Sequence, residues 1–278
     1  MKTSEEIKSL VKEKYGAIAS MDKENANACC GTACCGGDTT IMADSYENLE
    51  GYNPDADLGL GCGLPTQFAR IKKGDVVVDL GSGAGNDCFV ARSETGETGK
   101  VIGVDMTTEM INRARKNAEK LQYQNVEFRQ GEIEELPVST EMVDVVISNC
   151  VLNLVPDKDK AFEEIKRILK PGGHFSISDI VLSGELPGKI REAATFYAGC
   201  VSGALQKEVY MNIIQSKGFT NIEVQKEKSI YLPDDLLKEY LSTDELEAFR
   251  NSGLGIFSIT VYAEKAKDDC CDKSTCCK

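Results

Sequence analysis

The chain has 278 residues, is 41% hydrophobic, and carries 45 acidic against 32 basic side chains for a net charge of −13. That length supports one large α/β domain with appendages, or two small domains. An acidic chain without a Lys/Arg-rich run excludes nucleic acid as the expected partner, and no apolar run approaches the roughly 18 residues of a membrane span.

The opening "MKTSEEIKSLVKEKYG" reads as a charged amphipathic helix capped by Thr3 or Ser4, with Ile7, Leu10, Val11 and Ile18 on one face. It has no apolar signal-peptide core, so the expected location is the cytoplasm. The twelve cysteines are then expected to be mostly reduced, and to serve metal binding or catalysis rather than scaffolding. Four of them, Cys29, Cys30, Cys34 and Cys35, crowd into "NACCGTACCGG". A polar, Gly-rich stretch then leads to the core domain.

From residue 74 the pattern changes. "GDVVVDLGSGAGND" reads as a buried strand entering a glycine turn, and "DCFVARSE" as the helix after it. "KVIGVDM" reads as a second strand ending in an acid, and "TTEMINRARKNAEKL" as a Thr-capped helix with Glu109 in its first turn. "NVEFRQG" and "MVDVVISNCVLNL" read as the third and fourth strands. "DKDKAFEEIKRILKPGG" is a helix stopped by Pro-Gly-Gly, and "HFSISDIVL" a fifth strand. "KEVYMNIIQSKGF" is a late helix. "NIEVQKEKSIYL" and "GIFSITVYAEK" are two late strands at an antiparallel edge. The fold class is therefore α/β: a doubly wound, mostly parallel sheet of Rossmann type, with an antiparallel C-terminal edge and a small α+β extension. The expected division is a helix and cysteine-rich loop over 1–57, a cofactor domain over 58–182, a cover region over 183–265 and a polar, disordered tail from 266. That tail holds Cys270, Cys271, Cys276 and Cys277.

In "DLGSGAGND", Gly81, Gly83 and Gly85 directly follow a strand, where glycine lets the backbone turn tightly and approach a ligand. Asp105 ends the next strand, twenty residues after Gly85, placed to accept hydrogen bonds from both ribose hydroxyls. Met106 stands beside it. Such a turn and acid fit a dinucleotide or an S-adenosyl ligand. In "GEIEELPV", Glu132 is assigned to an adenine amino group and the Ile133 amide to a ring nitrogen. Asn149, in "SNCVLNL", ends the fourth strand at the ligand crevice. Asp79 either helps hold the ligand's ammonium through water or braces the turn. Asn86 and Asp87 are read as caps of the following helix. Together these motifs resemble the class I S-adenosylmethionine-dependent methyltransferases, and G-x-G-x-G falls short of the dinucleotide fingerprint G-x-G-x-x-G.

Cys62 lies in a glycine-flanked loop, Cys150 at a strand end and Cys200 beside a later helix. All three can converge above the cofactor's methyl group. Cys88 is read as a buried small hydrophobe, and His174 as structural. Three thiolates suit a soft, thiophilic centre, and no histidine is placed to complete a zinc site. "LGLGCGLP", "DLGSGAGNDCF", "GVDMT", "GEIEELP", "SNCVLNLVPDK", "RILKPGG", "SDIV" and "GCVSGAL", spanning about residues 58–212, resemble the arsenite S-adenosylmethionine methyltransferases, in their shorter microbial form. The resemblance implies S-adenosyl-L-methionine as cofactor and arsenite and methylarsenite as substrates. It implies a thiol reductant such as glutathione or thioredoxin, and mono- and dimethylated products of a detoxification reaction. It makes Cys62, Cys150 and Cys200 the arsenic ligands. It also implies an N-terminal cysteine that forms a transient disulfide with Cys62, for which four candidates stand open. The paired cysteines at both ends are expected to capture arsenite and pass it on, the alternative being bystanders that bind zinc or copper(I) adventitiously. The rival readings are a carbon methyltransferase of quinone or sterol type, and a metalloid-sequestering or sensing protein.

Overall fold

The computed structural model describes residues 3–20, 44–192, 201 and 203–267. Eight strands form one sheet in the order β3-β2-β1-β4-β5-β8-β7, with β6 paired to β5. β1 (Val76–Leu80), β2 (Lys100–Asp105), β3 (Val126–Gln130), β4 (Val143–Asn149) and β5 (Leu169–Ser183) run parallel. β6 (Leu205–Gln206) is a short parallel addition to β5, while β7 (Phe219–Ser229) and β8 (Gly255–Lys265) are antiparallel. β8 lies between β5 and β7, so the C-terminal segment completes the same sheet. The order reverses between β1 and β4, and a ligand crevice forms beyond the carboxyl ends of strands at such a point.

The fifth helix of the chain, α5 (Lys158–Ile168), ends three residues before Pro171, in keeping with a Pro-Gly-Gly stop. β5, however, begins at Leu169 rather than at His174, and Lys170–Gly173 bulge within it, where pairing jumps from Val143↔Leu169 to Val145↔His174. Short helices α2 (Pro65–Phe68) and α6 (Gly188–Glu192) escaped notice, as did α8 (Asp234–Lys238) and α9 (Thr243–Asn251). Asn86 and Asp87 do not cap helix α3 (Asn86–Thr95). Gly85 holds the cap position in the left-handed region and no side chain caps it. Thr107 stands at the cap of α4 (Thr108–Lys120) as expected but makes no side-chain cap bond, and its amide donates to Asp105 at the end of β2. At α1 (Ser4–Ser20) the cap reading holds: Thr3 and Glu6 exchange side-chain bonds to each other's amides.

Periodicity explains the helices that cover the sheet. α4 buries Met110, Ile111, Ala114, Asn117 and Ala118, and α5 buries Ala161, Phe162, Ile165 and Ile168, both at helical spacing. Phe162 packs on Phe175 of β5 and edge-on to Tyr210 of α7 (Lys207–Ser216).

Tyr210 donates to Asp179 Oδ2 at 3.2 Å, both side chains buried, and Asp179 Oδ1 has no hydrogen-bond partner. Burial pushes the Asp179 carboxyl up to about 7. The folded state therefore binds this proton more tightly than the unfolded chain. Stability contributed by the protonated form is lost as pH rises between the ordinary aspartate range and about 7. Asp179→Asn is expected to stabilise the protein by about 2–4 kcal/mol at pH 8, with the gain shrinking as pH falls toward 4. Urea titrations at both pH values check this, and a pH-independent difference contradicts it.

Candidate active site

A cleft enclosing about 1100 Å³, its mouth included, opens over the carboxyl ends of β1, β2 and β4. Asp79, Gly81, Gly83, Asp105, Met106, Glu132, Ile133, Asn149 and Cys150 line it. Gly85 does not. A Cβ there would sit 2.8 Å from Phe128 and 2.9 Å from Phe89, at φ +97°, so Gly85 serves the packing of α3 rather than the ligand. Gly83, in contrast, has open space where its Cβ would be, with only Met110 Sδ at 3.9 Å.

Asp105 Oδ2 accepts from the Gly83 amide at 3.0 Å and Oδ1 from the Thr107 amide at 2.8 Å. The carboxylate at the end of β2 thus holds the glycine loop in shape. Burial raises its pKa despite those two amides. Asp79 is buried at the end of β1, and burial together with Asp87 pushes its carboxyl well up. Cys88 is buried as expected, yet its Sγ also donates to Asp79 Oδ2 at 3.2 Å. Asp87 is raised by burial and by Asp57, against the bonds from Tyr46 and Asn149. Three raised carboxylates around one glycine loop form a donor set that fits a cationic ligand.

Helix α1 closes the cleft from above, which the sequence did not reveal. Lys8, Val11 and Tyr15 line the cavity. Lys8 Nζ bonds Glu132 Oε2 at 2.7 Å and lies 3.1 Å from Glu134 Oε1, while Lys12 bonds Glu132 Oε1 at 3.1 Å. The bond from Lys8 leads the causes that hold the Glu132 carboxyl below its usual range. The proposed adenine acceptor thus carries two lysines in this structure. The i, i+4 spacing of those lysines was the available signal, but their partners lie more than a hundred residues away.

Cys62 and Cys150 fall in one buried apolar cluster with Val11 and Leu154. Asn149 Oδ1 ties them together by accepting from the Cys62 amide at 3.0 Å and the Gly63 amide at 3.2 Å. Ser258 Oγ donates to the Cys62 carbonyl at 2.5 Å. Cys150 has φ +59°, rare for a residue with a side chain, and its amide donates to Ser178 O at 2.7 Å. Cys200 lies outside the described residues, as do Cys29, Cys30, Cys34, Cys35, Cys270, Cys271, Cys276 and Cys277. Among the described residues no group of three metal-ligating side chains assembles. His174 sits elsewhere on β5, its Nε2 2.6 Å from Ala69 O and its ring on Tyr262, with burial lowering its pKa. Among the described residues no helix is long and apolar enough to cross a membrane.

A methyltransferase-domain family model matches residues 71–218. The chain is 41% identical to an arsenite methyltransferase of Halobacterium salinarum, over 95% of its own length and 68% of the relative's. The chain belongs to the arsenite methyltransferase family. It is 39% identical to the arsenite methyltransferase of Aquipseudomonas alcaligenes, over 65% of its own length and 54% of that relative's. Among solved structures it resembles an arsenic(III) S-adenosylmethionine methyltransferase from Chlamydomonas reinhardtii, with TM-score 0.64 and 32% identity, covering 82% of this chain and 72% of that one. The strand order and crevice are those of the class I methyltransferase fold within this family.

Proposed function

We propose that this protein methylates trivalent arsenic with S-adenosylmethionine as donor. The observation that carries this reading is the joining of Cys62 and Cys150 through Asn149 at the edge of a cleft lined by raised carboxylates. When bound, the cofactor supplies an electrophilic methyl on a sulfonium. Asp105 takes the ribose, the glycine loop the methionine part, and Glu132 with the Ile133 amide the adenine. Asp79 helps hold the cofactor's ammonium.

Arsenite is held by Cys62, Cys150 and Cys200 as a pyramid of three sulfurs, with its lone pair free. That lone pair forms the As–C bond, and the electrons of the broken S–C bond remain on the departing sulfur. No proton moves, so the transfer needs no base; among the described residues the lysine lining the cleft, Lys8, is paired with Glu132 and Glu134. The transfer leaves arsenic oxidised by two electrons. A thiolate that attacks the sulfur of Cys62 forms a disulfide and returns the As–S pair to arsenic, which stays methylated, trivalent and bound to two thiols. An N-terminal cysteine is the proposed attacking thiolate, and a small thiol or thioredoxin-type reductant then reopens the disulfide. The cysteine pairs at both ends capture arsenite for this site. The reaction serves detoxification.

Incubation with S-adenosylmethionine, glutathione and arsenite, followed by chromatography, is expected to give methylarsenicals. Binding of arsenite and cofactor without any methylarsenical would overturn the reading in favour of sequestration, and transfer to an added quinone alone in favour of a carbon methyltransferase.

A further inference from the structure

Asp87 follows the glycine turn in α3 and keeps one side open to the cleft. Tyr46 reaches it from the segment before the core sheet, its hydroxyl 2.8 Å from Oδ2 and 3.0 Å from Oδ1. Asn149 Nδ2 lies 3.2 Å from the same carboxylate and 2.5 Å from the Tyr46 oxygen. The partners of this carboxylate are thus a phenol and a carboxamide. Among the described residues the charge acting on it is another acid, Asp57, and those acting on its neighbour Asp79 are Asp87 itself and Asp105. A helix cap needs none of this, and the cap position is held by Gly85.

Its place along the cleft is informative. Asp105 marks the β2 end, where the ribose goes, and Asn149 with Cys150 marks the β4 end, where the methyl is delivered. Asp87 is bonded to the β4 side. We propose that Asp87, oriented by Tyr46 and Asn149, is a charge-selecting residue that faces the sulfonium end of the cofactor and favours S-adenosylmethionine over S-adenosylhomocysteine. The inference rests on the methyltransferase reading above. Substrate and product differ there by one methyl and one positive charge. The thioether left after transfer draws nothing from the carboxylate, so Asp87 strengthens substrate binding and spares product release.

The test is calorimetric titration of wild type and Asp87→Asn with each of the two ligands. Asn is nearly isosteric and still accepts from Tyr46, so a packing role would leave both affinities alone or weaken both alike. The expected result is a loss of about ten- to a hundredfold in affinity for S-adenosylmethionine, with S-adenosylhomocysteine affected less than threefold. Asp87→Glu, which keeps the charge, is expected to recover most of the selectivity. Equal losses for both ligands would overturn the inference while leaving the methyltransferase reading intact. Binding of neither ligand by the wild type would instead overturn that reading. If Asp87→Asn does not fold, Tyr46→Phe takes its place. Removing the hydroxyl that steadies the anion is expected to weaken S-adenosylmethionine severalfold more than S-adenosylhomocysteine, and an unchanged ratio would overturn the inference.

Discussion

Cys150→Ser is expected to reduce methylation of arsenite by at least about a hundredfold while leaving S-adenosylmethionine affinity unchanged. A hydroxyl is a hard, weakly acidic ligand and does not replace a thiolate on a soft centre. Cys150 lines the cleft, and its backbone is fixed in the left-handed region by the strand end and the bond to Ser178. Serine meets the same backbone demand with one smaller atom, so the loss is not expected to come from unfolding. Cys62→Ser is expected to differ in kind. Once one methyl is attached, arsenic has two valences left for protein sulfur, and Cys150 with Cys200 can fill them. That variant is expected to lose arsenite as a methyl acceptor, while still holding it on two sulfurs, and to go on methylating monomethylarsenite. Product chromatography with each substrate under reducing conditions checks both variants. Near-normal methylation of arsenite by the Cys150 variant would remove the three-thiol site from the mechanism.

Asp105→Ala is expected to weaken S-adenosylmethionine binding by two orders of magnitude or more. Hydrogen bonds to a charged group contribute about 1.5–3 kcal/mol each, and the proposed ribose contact has two. The structure adds a second loss. Asp105 also receives the Gly83 and Thr107 amides, so alanine releases the glycine loop and the start of α4 together. Arsenite binding is expected to survive, because the thiols are held by Asn149, Ser178 and Ser258 instead. Titration of the variant with cofactor and, separately, with arsenite decides the point. Unchanged cofactor affinity would mean that the ribose lies elsewhere in the cleft.

The alternation of strands and helices was legible because each element carries its own period, and the glycine turn because it follows a buried strand directly. β8 matched its sequence reading residue for residue, since a run rich in β-branched and aromatic residues, buried on both faces over Ser258–Ala263, reads as a strand without a partner in view. What stayed illegible depends on contacts between distant segments. Nothing local to Lys8 says that it will meet Glu132, and nothing local to Asp87 distinguishes a helix cap from a carboxylate bonded to Tyr46 and Asn149. Asn149 was placed in the site for its position at a strand end. That its side chain holds the Cys62 turn as well as lining the cleft appears only in three dimensions. Gly85 shows the opposite failure, a motif glycine whose space is taken by two phenylalanines rather than by a ligand.

In the proposed mechanism one arsenic(III) sits on three internal thiols. The most direct test of that site is arsenic X-ray absorption on protein whose eight terminal cysteines, Cys29, Cys30, Cys34, Cys35, Cys270, Cys271, Cys276 and Cys277, are replaced by serine. Loaded with one equivalent of arsenite, this protein is expected to show three sulfur neighbours and no oxygen, falling to two sulfurs when Cys62→Ser is added. An oxygen-coordinated arsenic, or three sulfurs that persist without Cys62, would contradict it.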